Sequence, residues 1–177
     1  GRSTKERSVA SQALELAITS NVGMPYKIFH QVTEPLMSAQ RDVLDESALF
    51  FSAGGNKRGS LPASTPMPMP ARQALLYSSD EWGATDRFRI EYSASPPSEQ
   101  KAGIYRGNIS FRVESRSPFV PQEVINVPVS IEIEPIFSLE TSSEEGSGLQ
   151  FGAFRPGRPA QERRVSLKVR SNLGQAY

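Results

Sequence analysis

The sequence predicts an all-β fold, an antiparallel sandwich, and three observations support this expectation. Apolar and polar residues alternate strictly in several separated segments, as they do in a strand that buries one face. Clusters of turn-forming residues separate these segments. Only residues 38–51 offer a helical alternative. Short strands joined by such turns favour an antiparallel sandwich over a parallel sheet.

Five segments carry the alternating pattern of a strand. Turn-forming clusters lie at residues 20–23, 54–59, 95–98 and 156–159. In chain order, the apolar residues of the five segments are Leu14, Leu16 and Ile18; Phe88, Ile90 and Tyr92; Tyr105, Ile109, Phe111 and Val113; Val127, Val129, Ile131 and Ile133; and Val165, Leu167 and Val169.

Two other stretches leave alternatives open. Residues 38–51 form either a helix or a long hairpin, and the flanking Pro35 and the apolar run after Ala48 favour the hairpin. The proline-rich residues 60–71 should run extended, as polyproline II or an edge segment. We expect them to form a surface loop, with a recognition segment using Met67 and Met69 as the alternative.

Composition narrows the functional classes. The 177 residues suffice for one large sandwich domain, or for one domain and part of a second. Lys and Arg number 20 against 19 Asp and Glu, so the strong basic field of a nucleic-acid-binding protein is absent. Cysteine is absent, which excludes disulfides and thiolate chemistry. No apolar run approaches the roughly 20 residues that cross a bilayer. We expect no cofactor, nucleic-acid partner or membrane insertion.

One motif occurs twice. Residues 13–26, ALELAITSNVGMPY, resemble residues 164–177, RVSLKVRSNLGQAY. Ser20, Asn21, Gly23 and Tyr26 match Ser171, Asn172, Gly174 and Tyr177, and the apolar alternation before them also coincides. We call residues 13–26 the first copy and residues 164–177 the second copy. A repeat of this kind redefines the domain boundaries.

The repeat predicts two regions. Residues 1–135 form a β-sandwich repeat, and residues 136–177 form the opening strands of a second repeat or a donated or linking segment. The segment containing Leu149, Phe151 and Phe154 has no counterpart in the first region, so that sandwich should lack a strand and accept one from elsewhere. Two arrangements remain open. In the first, residues 149–154 fold back within the chain or enter the groove of a neighbouring chain; in the second, the chain is a fragment of a longer tandem array.

Three stretches carry further local motifs: Leu149-Gln-Phe-Gly with the following Pro156-Gly157 and second copy, Ala102-Gly-Ile-Tyr-Arg-Gly-Asn-Ile-Ser-Phe111, and an expected hairpin from Tyr77 to Phe88. Together they resemble bacterial extracytoplasmic immunoglobulin-like domains, the class that includes pilin-like and surface-repeat modules. The resemblance implies an immunoglobulin-like sandwich located at the cell surface or outside a bacterial cell, with the periplasm as the alternative. Gly103 and Gly107 would provide backbone freedom in the second stretch.

Few residues are candidates for chemistry. A single histidine, His30, cannot form a multi-histidine metal site and lies in no catalytic motif. Asp80, Glu81 and Asp86 flank the only tryptophan, Trp82, and an exposed tryptophan beside acids would suit a glycan or cation. We expect Trp82 to fill the core, with that ligand patch as the alternative.

Charged clusters are expected at the surface. The acids near Asp42 and those at Glu144 and Glu145 should be solvated, with cation binding as the alternative. The basic residues between Arg155 and Arg170 should blunt a strand edge, with an acidic partner as the alternative.

These observations predict a non-enzymatic structural subunit or adhesive module of a bacterial surface assembly. The expected partner is a second copy or a neighbouring repeat, and Leu149, Phe151 and Phe154 are the expected assembly strand. The alternative is a monomeric module that binds a glycan or a protein.

Overall fold

The computed structural model describes residues 10–70, 72–120, 122–143, 156–157 and 164–174. Within these ranges the chain is all-β, which confirms the predicted class. The strands are β1 (Ala10–Ile18), β2 (Tyr26–Met37), β3 (Leu49–Gly54), β4 (Met67–Pro68), β5 (Ala74–Ser78), β6 (Asp86–Ala94), β7 (Gly103–Ser115), β8 (Val124–Ile133), β9 (Phe137–Ser143) and β10 (Val165–Ser171).

Two four-stranded antiparallel sheets make up the main body. Sheet I has the order β1-β6-β3-β4, and sheet II has the order β5-β2-β7-β8. Strands β9 and β10 pair with each other in a separate two-stranded sheet, with Leu139 opposite Val169. We call residues 10–133 the sandwich, and β9 with β10 the hairpin.

One hydrophobic core lies between sheets I and II. Phe51, Phe88 and Ile90 come from sheet I, and Tyr105 and Phe111 come from sheet II. Aromatic rings join the sheets directly, since the ring of Tyr77 on β5 stacks on that of Phe88 with centroids 4.9 Å apart. Such offset ring pairs add specificity to the area that they bury.

The predicted alternation is confirmed on β6 and β1. On β6, Phe88 and Ile90 are buried while Arg87, Arg89 and Glu91 are exposed. On β1, the predicted apolar set packs against the core from a partly buried position. The period of two identified the buried face of these strands, because successive strand side chains point to opposite sides. On β10 the strand forms as predicted, but Val165 and Leu167 on its apolar face are exposed.

Gly107 illustrates why β7 needs a residue without a side chain. A Cβ atom there would lie 2.6 Å from the backbone oxygen of Glu34 on the neighbouring β2. The pairing of β2 with β7 is irregular here, with register shifts between Val32 and Met37. Glycine permits this close backbone approach, as predicted from the sequence.

The prediction of a hairpin from Tyr77 to Phe88 is wrong. Strand β5, which holds Tyr77, belongs to sheet II, and β6, which holds Phe88, belongs to sheet I. The turn at residues 79–85 therefore carries the chain from one sheet to the other. Stacking of the two rings across the core replaces backbone pairing between these strands.

Residues 38–51 form neither a full helix nor a full hairpin. An isolated bridge joins Met37 to Val43, a short 3-10 helix covers Glu46–Ala48, and β3 begins at Leu49. The backbone N–H of Ser47 donates to the Asp45 carboxylate at 2.9 Å and so caps the 3-10 helix.

The proline-rich stretch contains the predicted edge segment. Its residues Met67–Pro68 form β4 at the margin of sheet I. Met69 is buried in the core and Met67 is exposed, so only one of the two predicted contact methionines reaches the surface. Pro68 can lie there because an edge position needs no full ladder of donors.

No helix within the described ranges is long and apolar enough to span a membrane.

Candidate functional site

The hairpin is fixed to the sandwich at one corner, residues 171–174, which we call the second corner. Asn172 there is only 4% exposed. Its side-chain oxygen accepts a hydrogen bond from the backbone N–H of Ile136 at 2.6 Å, and its side-chain nitrogen donates to the carbonyl of Glu134 at 2.9 Å. Its own carbonyl accepts from the N–H of Ala102 at 2.8 Å. One residue thus joins the β8–β9 connection, the end of β10 and the loop before β7.

The hairpin has an apolar face and a polar face. Residues paired across β9 and β10 share a face, and Leu139 and Thr141 lie opposite Val169 and Leu167. Leu167 is 65% exposed. A two-stranded sheet is marginally stable alone, so a further apolar layer would stabilise this face. The apolar face carries Phe137, Leu139, Val165, Leu167 and Val169.

The matching residues of the first copy are packed more deeply than Val165 and Leu167 of the hairpin. Leu14, Leu16 and Ile18 match Val165, Leu167 and Val169 in the aligned copies. All three pack against the core of the sandwich. The repeated strand therefore presents the same face in both places, but in the described residues that face is packed in the first copy and largely exposed in the second.

The turn that follows the repeated strand also has the same local geometry in both copies. Gly23 has φ 69° and Gly174 has φ 67°, a left-handed conformation that glycine adopts without strain. We call residues 20–23 the first corner. Asn21, the match of Asn172, is exposed and makes no hydrogen bond within the described ranges. The corner that is filled in the second copy is therefore open in the first.

Strand β1 is an unprotected edge. It pairs with β6 on one side, and no described strand pairs with its other side. The remaining edges of the two sheets are blunted, since β4 has two residues, β5 has five, and β8 contains Pro128. Strand β1 has nine residues and no proline. Short length and proline residues usually protect an edge strand from pairing with another chain, and β1 has neither form of protection.

The predicted assembly strand lies outside the described residues. Leu149, Phe151 and Phe154 all fall within residues 144–155, as do Glu144 and Glu145. Among the described basic residues of the second copy, Arg170 lies 4.0 Å from the carboxylate of Glu140 on β9, on the polar face of the hairpin. Exposed pairs of this kind add little stability.

Trp82 does not fill the core, contrary to expectation. Its side chain is 66% exposed, at the tip of the turn between β5 and β6. Gly83 has φ 59°, and a Cβ atom there would lie 1.8 Å from the carbonyl oxygen of Met24. The tight approach of this turn to Met24 leaves the neighbouring tryptophan outside.

Asp86 is buried and its carboxylate is fully engaged inside the protein. It accepts hydrogen bonds from the backbone N–H groups of Lys57, Arg58 and Gly59 at 3.0 to 3.1 Å. The hydroxyl of Tyr77 donates to it at 2.8 Å. Burial opposes ionisation, but the backbone and tyrosine donors prevail and hold the pKa of Asp86 below its usual range. This carboxylate anchors the loop before β4.

Asp80 also makes internal contacts. One carboxylate oxygen accepts from the N–H of Ala84 at 3.0 Å, and the other lies 3.6 Å from the guanidinium of Arg58. Of the predicted ligand patch, the structure therefore places Trp82 outside and Asp80 and Asp86 in internal roles. The exposed Trp82 therefore remains as an aromatic surface, and neither Asp80 nor Asp86 offers a free carboxylate beside it.

His30 lies in the core between the sheets. Its ring centroid is 4.3 Å from that of Phe51, and its Nδ1 lies 3.2 Å from the hydroxyl of Tyr92. Its Nε2 atom is buried and has no hydrogen-bond partner among the residues that the structure describes. Burial lowers the pKa of His30 to about 4.

The acids near the start of the 3-10 helix have local partners. The ammonium of Lys101 lies 2.7 Å from the carboxylate of Asp42, and Asp45 caps the helix. Across the ranges that the structure describes, no three histidine, cysteine or acidic residues are grouped to hold a metal ion.

The role of Asn172 was not predicted, although its presence in the repeat was the available signal. An asparagine conserved between two copies of one motif suggests a turn, and Asn commonly occupies turns. The sequence could not show that this amide contacts three separate segments of the chain.

Comparisons with known proteins give no family. No protein-family model matches the chain. No curated protein matches it either. One similar solved structure is a family 123 glycoside hydrolase from Clostridium perfringens, described in connection with glycolipid glycan hydrolysis, with a TM-score of 0.43 and 13% identity. The match covers 72% of this chain and 21% of that protein. A likeness this weak carries no argument about fold or activity.

Proposed function

We propose that this chain is a structural or adhesive module of a bacterial surface assembly, such as a pilus, fibre or repeat stalk. It acts by strand pairing between immunoglobulin-like units rather than by chemistry, and it is not an enzyme. Its partner is another copy of itself or a neighbouring repeat. The module functions at the cell surface or outside the cell.

The carrying observation is that one motif occurs in two complementary environments. The first copy has a packed strand and an open corner, whereas the second copy has an exposed apolar strand and a filled corner. The packed strand is found in the first copy and the filled corner in the second. Association with a further unit would cover the apolar face of the hairpin, and burial of apolar area favours such association by about 25 cal/mol per Å².

The unprotected β1 edge supports the same proposal. Its free backbone groups are a template for one more strand, and strand addition is a common mode of recognition between protein chains. The other edges of the sandwich are short or contain proline. Among the described strands of the sandwich, β1 therefore offers the edge best suited to assembly.

Light scattering over a range of concentrations, followed by electron microscopy of undenatured material, tests the proposal. We expect a mass above the 19.4 kDa of one chain that rises with concentration. Leu167→Asp should reduce it to one chain, because a carboxylate on the apolar face opposes burial. Ser166→Asp adds the same charge to the opposite face and should leave assembly intact. A parent chain that stays at 19.4 kDa at every concentration would contradict the proposal.

The exposure of Trp82 favours a second candidate, a monomeric module that binds a glycan or a protein. An exposed tryptophan offers a flat apolar surface with a polar N–H group. Binding that quenches tryptophan fluorescence and is lost in Trp82→Ala, with the chain remaining monomeric, would support this candidate. An unchanged fluorescence spectrum across a glycan panel would count against glycan binding.

A further inference from the structure

We propose that the open edge of β1 and the first corner together form a docking site for residues 134–143 of another copy of this chain, in the register that β9 holds against β10. Docking is a strand exchange: β9 leaves the β10 and Asn172 of its own chain, which hold it in the single chain, and pairs with β1 and Asn21 of the other copy. This inference rests on the proposed function and deepens it by naming the docking segment and its register. The occupant is a strand that continues the β1 edge, held at its start by Asn21.

The register follows from the repeat. In the second copy Val169 lies opposite Leu139, and Leu167 lies opposite Thr141. Ile18 matches Val169 and Leu16 matches Leu167, so the docked strand would place its Leu139 beside Ile18 and its Thr141 beside Leu16. On the outer face, Lys168 pairs with Glu140. The outer position that matches Lys168 in the first copy is Ala17.

Asn21 gives the docked strand an anchor. Asn172 binds the backbone of Glu134 and Ile136 with both atoms of its side-chain amide. The two corners have matching residues and matching glycine φ values, so Asn21 can offer the same pair of hydrogen bonds. Its side chain is exposed and makes no hydrogen bond within the described ranges.

The choice of occupant rests on the shape and chemistry of β9. Residues 134–143 carry the carbonyl and N–H groups that Asn172 binds, followed by Phe137 and Leu139 on one face. On β1 the same face holds Leu14, Leu16 and Ile18, which pack on the core. A docked β9-type strand would extend this apolar face of sheet I by one strand.

Disulfide tethering on the full-length chain tests the register. The chain has no cysteine, so introduced thiols react without background. Ala17→Cys, activated as a mixed disulfide, is mixed with a synthetic peptide of residues 134–143 that carries Glu140→Cys. We expect the peptide to couple to the Ala17→Cys chain at least tenfold faster than to an activated Ser11→Cys chain, because Ser11 lies six residues from Ala17 along the same strand.

Two controls separate docking from intrinsic thiol reactivity. A peptide that also carries Phe137→Asp and Leu139→Asp should couple equally slowly at both positions. Asn21→Ala in the Ala17→Cys chain should reduce the tenfold preference, because the anchor for Glu134 and Ile136 is lost. A second register pair, Glu15→Cys with Ser142→Cys in the peptide, should reproduce the preference, since the matching Ser166 lies opposite Ser142.

The outcomes distinguish this inference from the proposed function. Equal coupling rates at positions 11 and 17, and at 11 and 15, overturn the docking site. If the parent chain still assembles in light scattering, the proposed function survives that result. Position-specific coupling by a chain that stays monomeric would show that β1 accepts the free peptide but that an intact copy does not supply the strand, which overturns docking of another copy and contradicts self-assembly.

Discussion

The two copies of the repeated motif differ in what surrounds them rather than in their local structure. Both form a strand followed by a corner with a left-handed glycine. In the first copy Leu16 packs on the core and Asn21 is exposed, whereas in the second copy Leu167 is exposed and Asn172 is buried. Local sequence therefore sets strand and turn, and the neighbouring segments decide which face and which corner are filled.

The largest expected difference between the copies concerns their apolar faces. Leu16→Asp should lower the free energy of unfolding by about 3 kcal/mol, because it places a charge against the core. Leu167→Asp should change it by less than about 0.5 kcal/mol in a monomeric sample, since its side chain is largely exposed. Urea unfolding followed by circular dichroism measures both. Equal effects would show that the two faces are packed alike.

Acid should lower the folding stability of the sandwich, because His30 lies in its core. The pKa of His30 is about 4 in the fold, below the ordinary 6.5. Between these values the unfolded chain binds a proton that the folded chain does not, so stability is lost as pH falls from about 6.5 to about 4. A shift of this size corresponds to about 3 kcal/mol at most. Urea midpoints measured at half-unit pH steps should show the loss.

A variant isolates the contribution of His30. His30→Leu should remove the slope between pH 6.5 and 4, while the hydrogen-bonded Asp86, whose pKa is held low, should still cost stability as pH falls below about 4. A slope that persists unchanged in His30→Leu would assign the acid sensitivity to other groups.

The smallest expected difference lies at the two corners. Asn172→Ala should leave the N–H of Ile136 and the carbonyl of Glu134 without their partner, at a local cost of about 2 kcal/mol. Asn21→Ala should cost less than about 0.5 kcal/mol in a monomeric sample. Hydrogen exchange at the amide of Ile136 should accelerate in the first variant only. Unchanged exchange there would mean that Asn172 does not hold the corner.

The sequence predicted the strands well because side-chain alternation is a local property. Phe88 and Ile90 on β6 lie on the predicted buried face. The sequence did not predict which sheet each strand joins. Turn residues before Asp86 indicate that the chain reverses, but not whether it returns to the same sheet. Trp82 was placed inside because tryptophan is large and apolar, but the approach of Gly83 to Met24 leaves it outside.

The candidate site was predicted in part. The match of Asn21 with Asn172 was visible in the sequence, and it led to the repeat. The hydrogen bonds of Asn172 depend on segments distant in sequence, Ala102 and Glu134 among them, and no local pattern reports such contacts. The internal contacts of Asp80 and Asp86 were missed for a similar reason, because Arg58 and the backbone N–H groups of residues 57–59 that they contact lie in a separate loop.

The most direct test extends the chain in phase with the repeat. Tyr177 matches Tyr26, so adding a second copy of residues 27–143 directly after Tyr177 supplies the strands that cover β1 in the sandwich. In the extended chain, we expect Leu167→Asp to lower the free energy of unfolding of the added unit by about 3 kcal/mol, as Leu16→Asp does in the first. If Leu167→Asp remains without effect there, the second copy does not open a second unit, and the account is wrong.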